Sequence, residues 1–398
     1  MIKVQTLKGF RDFLPENSRK RQYVIETLKK VFESYGFEPL ETPSLEYEEV
    51  LNGKYGDEGD KLMYKFKDKG DRSVALRYDQ TVPLARVIAQ YQNDLPNPFK
   101  RYQIQNVWRA ENTQKGRYRE FLQVDADIVG AYSPLADAEI IAVAAKSLQN
   151  LGFKNFKIYL NDRSLLNNFS RETLVSLDKI KKIGREGVLK ELVEKGVEKD
   201  WKKVDETLTK IEKQEPTEKI KEIFSILETL GISKENLVFE ASLARGLDYY
   251  TGIIFEIEIE GANGSSVAGG GRYDNLIGIF AGKEIPAVGF AFGFDRVLEA
   301  MDSLNLFPKS LSGKNLFVAF SNSDLQKKAL EIANEIRSNG LNTELYLEDE
   351  TLEKQLKYAD KKQIPFSIIV EEKNLIFKDM EKRTQENLTV EEIVKKLK

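Results

Sequence analysis

From Tyr102 to Arg109 large apolar and polar residues alternate, the period-two signature of a half-buried strand, and the alternation resumes from Phe121 to Ile128. Between them Asn112–Tyr118 reads as a short basic loop carrying Lys115, Gly116 and Arg117. Phe99 to Gly130 is therefore expected to fold as strand, loop and return strand. In the return strand Gln123, Asp125 and Asp127 fall at every second position and so share one face of the sheet. A row of acceptors beside arginines is costly to bury for packing alone. It suits a site that grips an anionic ligand and a small polar molecule together.

Helical spacing is clear from Ser18 to Tyr35, where Tyr23, Ile25, Leu28, Val31 and Phe32 form an apolar stripe and Gly36 stands in the stop position. Phe37 to Pro43 follows as an extended segment whose prolines exclude a central strand. Met63 to Thr81 predicts a hairpin, Tyr64–Phe66 and Val74–Arg77 around a turn at Lys69–Asp71. Pro83 then belongs in the first turn of a helix, placing Asp79 and Thr81 at a strand-to-helix corner. A helix over Leu135–Asn150 and a strand over Phe156–Leu160 come next.

From Leu166 to Gly231 the texture becomes Lys/Glu-rich and helical, broken by Pro216, as expected of a solvated inserted subdomain. The sheet should return over Val238–Glu260, followed by a Gly-rich loop at Gly269–Asp274 and by Val288–Arg296 leading into a helix near Val297. Asn305–Lys314 has linker composition. Beyond it strands at Leu316–Phe320, Thr343–Leu347 and Phe366–Val370 alternate with helices at Leu325–Asn339 and Glu350–Gln363. That rhythm predicts a small α/β domain with a parallel or mixed sheet.

At 398 residues the chain has room for two or three domains. It has no apolar run long enough for a membrane helix and no signal-like apolar segment near Met1, so a cytoplasmic location is expected. Cysteine is absent, which removes disulfides and thiolate chemistry. Histidine is absent too, so catalysis must run on carboxylates, arginines, tyrosines and bound metal. A net charge of −3 does not mark a nucleic-acid binder, and such a partner would need local basic patterning.

Arg109 and Glu111, then Gly116-Arg117 and Arg119-Glu120-Phe121, resemble motif 2 of the class II aminoacyl-tRNA synthetases, and the wording QKGRYREFLQVDADIVG is similar to the histidyl branch. The resemblance runs from Gly9 to about Lys378 and thins across 166–231. It implies an α+β fold: a catalytic domain with an antiparallel sheet flanked by helices, a helical insertion, and a C-terminal α/β anticodon-binding domain. The expected divisions are 1–165 and 232–310 for the two catalytic parts, 166–231 for the insertion and 314–398 for the anticodon-binding domain. It further implies ATP-dependent activation of L-histidine and its transfer to the histidine tRNA by a homodimer. The alternative is a non-catalytic relative, the synthetase-like regulatory subunit of ATP phosphoribosyltransferase; this chain keeps the arginines and the C-terminal domain that such proteins usually lack. The Ser18–Pro43 segment resembles motif 1, which builds the dimer interface; packing within its own domain fits those residues equally well.

Adenylate formation brings a carboxylate to the α-phosphorus of ATP, so fixed positive charge is the chief need and no general base is required. Arginine suits this because its planar fork grips phosphate and carboxylate bidentately. The resemblance places Arg109 on the α-phosphate and the amino-acid carboxylate, Arg296 of motif 3 on the γ-phosphate, and Arg245, within the histidyl motif Leu243–Gly252, near the α-phosphate. Each arginine alone fits a surface ion pair; their order and intact flanks favour the site. Phe121 would stack on adenine and Glu111 reach its amino group, with Arg117 also near ATP and Mg²⁺ bridging the phosphates through ligands the sequence does not name. Asp79, Thr81 and Gln123 would hold the α-amino group, Asp127 and Tyr250 the imidazole, and Tyr249 and Tyr273 the pocket wall.

Two departures bear on tRNA. Glu111-Asn112-Thr113-Gln114 lacks the Arg-Pro pair many bacterial relatives carry there. Residues 314–398 hold 15 Lys/Arg against 16 Asp/Glu, so anticodon contact would rest on a local patch such as Lys354, Lys357, Lys361 and Lys362. The missing histidine has two readings: compositional drift, or selection so that a histidine-charging enzyme can be made when histidine is scarce.

Overall fold

The structure is a computed structural model that describes residues 2–52, 62–113, 116–197, 200–245, 249–262, 266–308, 311 and 315–398. Its contacts divide the chain into two units, Met1–Phe307 and Pro308–Lys398.

In the first unit helix α1 (Pro15–Ser34) starts on a proline, whose missing N–H is no loss in a first turn. It stops at Gly36, φ +75°, where the Gly36 and Phe37 amides each donate at 3.0 Å to Glu33 and Phe32 carbonyls; only a residue at ease in the left-handed region closes a helix this way. The apolar stripe (Val24, Leu28, Val31, Phe32) is buried within this unit, with the Phe32 ring 5.4 Å from Tyr102 and 6.3 Å from Phe290. That face of the helix serves intrachain packing.

The main sheet has eight strands: β1 (Glu38–Pro39), β2 (Phe99–Trp108), β3 (Glu120–Val129), β4 (Phe156–Asp162), β5 (Leu237–Phe239), β6 (Ile253–Ile259), β7 (Ser266–Arg272) and β8 (Ala287–Phe292). Their order is β1-β2-β3-β8-β7-β6-β4-β5, antiparallel except at the two edges. The proline-bearing β1 lies at one edge, as its missing donor requires. One face is covered by α1 and the helices Pro134–Asn150 and Phe294–Ser303 over a core that includes Phe255, Phe290 and Val124; the other is left for the site. Leu45–Tyr47, Lys65–Lys67 and Ser73–Leu76 form a small second sheet, and α2 (Thr81–Gln90) follows it with Pro83 in its first turn. Helix α3 (Pro134–Asn150) is capped by the Ser133 hydroxyl.

Three sequence expectations need correction. Gly269–Gly271 is not loop but the middle of β7, paired on both sides. A Cβ on Gly270 would run into the Gly289 carbonyl, so close strand packing, not loop freedom, is what demands glycine. Val238–Glu260 is not continuous sheet either: β5 and β6 are separated by the stretch that carries Arg245 and Tyr250 to the site. The helix expected near Val297 begins at Phe294, so Arg296 sits inside its first turn.

The insertion holds the helices Arg171–Leu177, Ile180–Glu194 with a break at Gly184, Trp201–Glu212 and Glu218–Thr229, with Pro216 just ahead of the last. It is more than solvated surface: Leu174, Val188 and Leu208 share one core with Leu84, Ile88 and Tyr250.

In the second unit β9 (Leu316–Phe320), β10 (Thr343–Leu345), β11 (Phe366–Val370), β12 (Leu375–Asp379) and β13 (Thr384–Asn387) make a mixed sheet in the order β10-β9-β11-β12-β13. Its first three strands and two helices follow the expected rhythm; the hairpin β12–β13 and the capping-box helix Val390–Leu397 go beyond it. The suggested basic patch is largely balanced by acid: Lys354 pairs with Glu350 at 2.8 Å, Lys357 with Glu353 at 2.7 Å and Lys362 with Glu344 at 2.5 Å.

Candidate active site

Strand register builds the site. The return strand β3 faces β2 so that Gln105 lies opposite Gln123, Gln103 opposite Asp125 and Arg101 opposite Asp127. Continuing across the sheet, Asp125 is followed by Ala291, Gly269 and Glu256, and Asp127 by Gly289, Gly271 and Ile254. The open face therefore has a polar rim on β2–β3, an acid on β6 and between them a floor stripped of side chains. A Cβ at Gly289 would overlap the Asp127 carboxylate, and one at Gly269 the Arg245 guanidinium. Both large polar groups lie flat over glycines.

The resulting cavity, about 780 Å³, is lined at one end by Asp127, Tyr250 and Tyr273 and at the other by Arg109, Phe121 and Arg296. Asp127 accepts from the Tyr273 hydroxyl and pairs with the fully buried Arg101 at 2.7 Å. Arg245, at φ +43°, lies 3.3 Å from Glu256 and 5.7 Å from the Tyr250 ring. Arg109 sits over Tyr78 and Phe121, its Nε donating to the Tyr78 carbonyl at 3.2 Å. Asp79 caps α2 by accepting from the Thr81 and Val82 amides at 3.1 and 3.2 Å, which holds this corner against the cavity. Gln80 beneath it ties the corner to β2 and β3 through the Gln105 and Gln123 carbonyls.

Burial pushes the Tyr273 phenol well above its usual range, and the Asp127 charge adds to this, so it remains an O–H donor. Burial alone would lower the Arg245 guanidinium; Tyr250 and Glu256 outweigh it, and its pKa ends above the ordinary value. Asp125 is pushed up to about 7 by burial, against the pull of Arg101 and with a further push from Asp127. One arginine thus faces two carboxylates, and burial favours the acid form of Asp125. Because Asp125's pKa is raised on folding, its acid form stabilises the fold below the unfolded value of about 3.9, and that contribution is lost as pH climbs from there through about 7. Asp125→Asn should remove this loss: urea midpoints of the variant and the wild type are expected to diverge in the variant's favour across that window and then run parallel. No divergence would remove the raised pKa.

The sequence profile described as histidyl-tRNA synthetase matches residues 9–185 and 182–297, and that described as an anticodon binding domain matches 315–398. A histidine–tRNA ligase of Cytophaga hutchinsonii is 38% identical, with all of both chains covered, and one of Korarchaeum cryptofilum is 40% identical over 89% of this chain and 88% of its own. The chain belongs to the histidyl-tRNA synthetase family.

Among solved structures, the histidyl-tRNA synthetase of Nostoc sp. PCC 7120 superposes with a TM-score of 0.84 at 28% identity over the whole of both chains. A Bacillus halodurans protein described as an ATP phosphoribosyltransferase regulatory subunit/histidyl-tRNA synthetase matches less well, with a TM-score of 0.69 at 25% identity over 87% of this chain and 93% of its own. The histidyl-tRNA synthetase fold thus agrees with the expected α+β catalytic and anticodon-binding parts.

Of the residues singled out from sequence, Asp79, Thr81, Arg109, Glu111, Phe121, Gln123, Asp127, Arg245, Tyr249, Tyr250, Tyr273 and Arg296 all line the one cavity. Arg117 does not; it is half exposed and pairs with Glu111 at 3.5 Å. Gln114 and Lys115 of the motif 2 loop and Gly246–Asp248 of the histidyl motif lie outside the described residues. Sequence reasoning missed Arg101, which pairs with Asp127, and the cavity-lining Glu256, Gly289 and Arg171, the last brought in from the insertion. Register would have found the first: counting across the β2–β3 hairpin sets Arg101 opposite Asp127.

Proposed function

We propose that this chain is a histidine–tRNA ligase, activating L-histidine with ATP to the adenylate and transferring it to the 3′ end of the histidine tRNA. The observation that carries the reading is one cavity, in a chain of this family, joining the polar Asp127–Tyr273 end to Arg109, Arg245 and Arg296.

Histidine would enter over the glycine floor. Asp127 and Tyr250 grip the ring nitrogens, Tyr249 and Tyr273 wall the pocket, and Asp79, Thr81 and Gln123 take the ammonium. Gln123 Oε1 and Asp125 Oδ1 are buried and meet no donor among the described residues, which supports a ligand that brings N–H groups. ATP would lie along the arginines: adenine on Phe121 and Glu111, the α-phosphate between Arg109 and Arg245, the γ-phosphate at Arg296, with Arg117 at the margin. Attack of the already ionised carboxylate on the α-phosphorus, with pyrophosphate leaving, then needs alignment and charge neutralisation, both of which these arginines would supply.

Mg²⁺ belongs to the proposal as the ion carried by the ATP phosphates. No group of three acidic side chains among the described residues is placed to hold a metal, so phosphate oxygens and water would be its main ligands. The same reading takes 1–165 and 232–310 as the catalytic domain, 166–231 as its insertion and 314–398 as the anticodon-binding part of a cytoplasmic homodimer. Among the described residues no helix is long and apolar enough to cross a membrane.

ATP–pyrophosphate exchange with each amino acid in turn tests it. Exchange with histidine alone is expected. No exchange by a folded protein that still binds histidine would turn the reading to the regulatory paralogue.

A further inference from the structure

Outside the cavity lining, two segments that supply its tyrosines are fastened to each other. The Thr251 amide donates to the Arg272 carbonyl at 2.8 Å. The Thr251 hydroxyl donates to Asp274 Oδ2 at 2.9 Å and accepts from the Asp274 amide at 3.0 Å. Asp274 Oδ1 in turn accepts from Arg272 Nη1 at 3.0 Å and from the Ala287 amide at 3.2 Å. Arg272, only 3% exposed, sends Nε to Asp137 Oδ1 at 2.8 Å and Nη1 to the Ala131 carbonyl at 2.9 Å. Asp137 is wholly buried in the first turn of α3 and also meets Lys219 of the insertion at 3.0 Å.

Tyr250 precedes Thr251, and Tyr273 stands between Arg272 and Asp274. Neither ring is placed by regular structure alone. Tyr250 lies outside the strands, and Tyr273 is the first residue beyond β7. Gly252 completes the fit, because a Cβ there would meet the Arg272 side chain at 3.1 Å. An arginine and an aspartate buried as deeply as Arg272 and Asp137, with the part-buried Asp274 beside them, are a poor means of gaining stability, since desolvation offsets most of the attraction. Their value lies in fixing geometry.

We propose that Thr251, Asp274, Arg272 and Asp137 form a latch that sets the spacing of Tyr250 and Tyr273, and thereby tunes the histidine end of the cavity without touching either substrate. They are positioning residues. The proposal rests on the histidine–tRNA ligase reading. It predicts a split: slackening the latch displaces the two phenols while Arg109, Phe121 and Arg296, held by other elements, keep their places.

The test measures KM for histidine, KM for ATP and kcat in pyrophosphate exchange for the wild type, Thr251→Val, Thr251→Ser and Asp274→Asn, together with amide exchange at Tyr250 and Thr251. Thr251→Val removes the hydroxyl at near-constant volume, and Thr251→Ser restores it. Thr251→Val and Asp274→Asn should raise the histidine KM by about 10- to 100-fold with the ATP KM changed by less than about twofold, and serine should restore the wild-type value. Equal changes in both KM values, or no rescue by serine, would reduce the network to ordinary structural support and overturn the proposal. If the wild type gives no histidine-dependent exchange, the functional reading fails on its own. The latch is then judged by whether Thr251→Val speeds amide exchange at Tyr250 and Thr251 and serine slows it again; unchanged protection overturns it.

Discussion

Replacing Arg245 by alanine should slow formation of the adenylate by about 10²–10³-fold, the usual consequence of deleting one preorganised charge contact. The side chain lies flat over Gly269, is steadied by Glu256 and the Tyr250 ring, and extends from a backbone at φ +43°, a conformation that costs energy and persists only where its surroundings enforce it. That placement puts a positive charge over the glycine floor beside the acid on β6, where the proposed reading brings the two anions together. Stability should barely change, because the partner left behind, Glu256, already has its pKa raised by burial and can accept a proton instead of standing as a bare charge. Lysine should rescue little, since it offers a point charge where a planar fork is laid against a glycine. Gly269→Ala should imitate the loss from the other side by driving a methyl group into the guanidinium. Single-turnover measurement of the adenylate, with histidine affinity determined separately, checks all three. An unchanged rate in Arg245→Ala would remove this residue from the chemistry.

Much of this site was legible because its chemistry sits on elements with strong local signals. The alternation in Tyr102–Arg109 and Phe121–Ile128 announced the hairpin and put Gln123, Asp125 and Asp127 on one face; Pro83 marked the corner that presents Asp79 and Thr81. What stayed hidden depended on partners distant in the chain. Gly269–Gly271 reads locally as a loop, and becomes strand only because β6 and β8 close on it from both sides. The floor was nevertheless written in period two, as Gly269 and Gly271 on β7 and Gly289 and Ala291 on β8; small residues at alternate strand positions mark a surface on which something must lie close. Arg101 was hidden for a different reason, since a single arginine in a strand declares nothing until register sets it against Asp127. In the C-terminal unit Glu350 and Glu353 stand four residues ahead of Lys354 and Lys357, so those pairs were readable from helical spacing; only Glu344, paired with Lys362, is brought back by the fold.

Asp127→Asn should raise the histidine KM by about 10²-fold or more while leaving the ATP KM within about threefold of the wild type, because on the proposed reading a site that pairs with ring nitrogens is left with a mismatched buried group. Asparagine preserves the volume over Gly289, so the floor is not disturbed; what changes is charge and hydrogen-bond sense. The Tyr273 hydroxyl loses a charged acceptor, and the amide can turn its oxygen toward Tyr273 or toward Arg101 but not satisfy both fully. Severing a buried ion pair commonly costs about 3–5 kcal/mol. Here the loss should be smaller, because Asp125 lies 4.0 Å from the same guanidinium. Freed from the neighbouring Asp127 charge, it should ionise more readily and take over as counter-ion to Arg101. The variant should therefore fold and bind ATP, yet lose the ring contact that distinguishes histidine. Calorimetric titration with each substrate separates the two effects: matched losses for histidine and ATP would mean that Asp127 supports the whole cavity and does not read the ring.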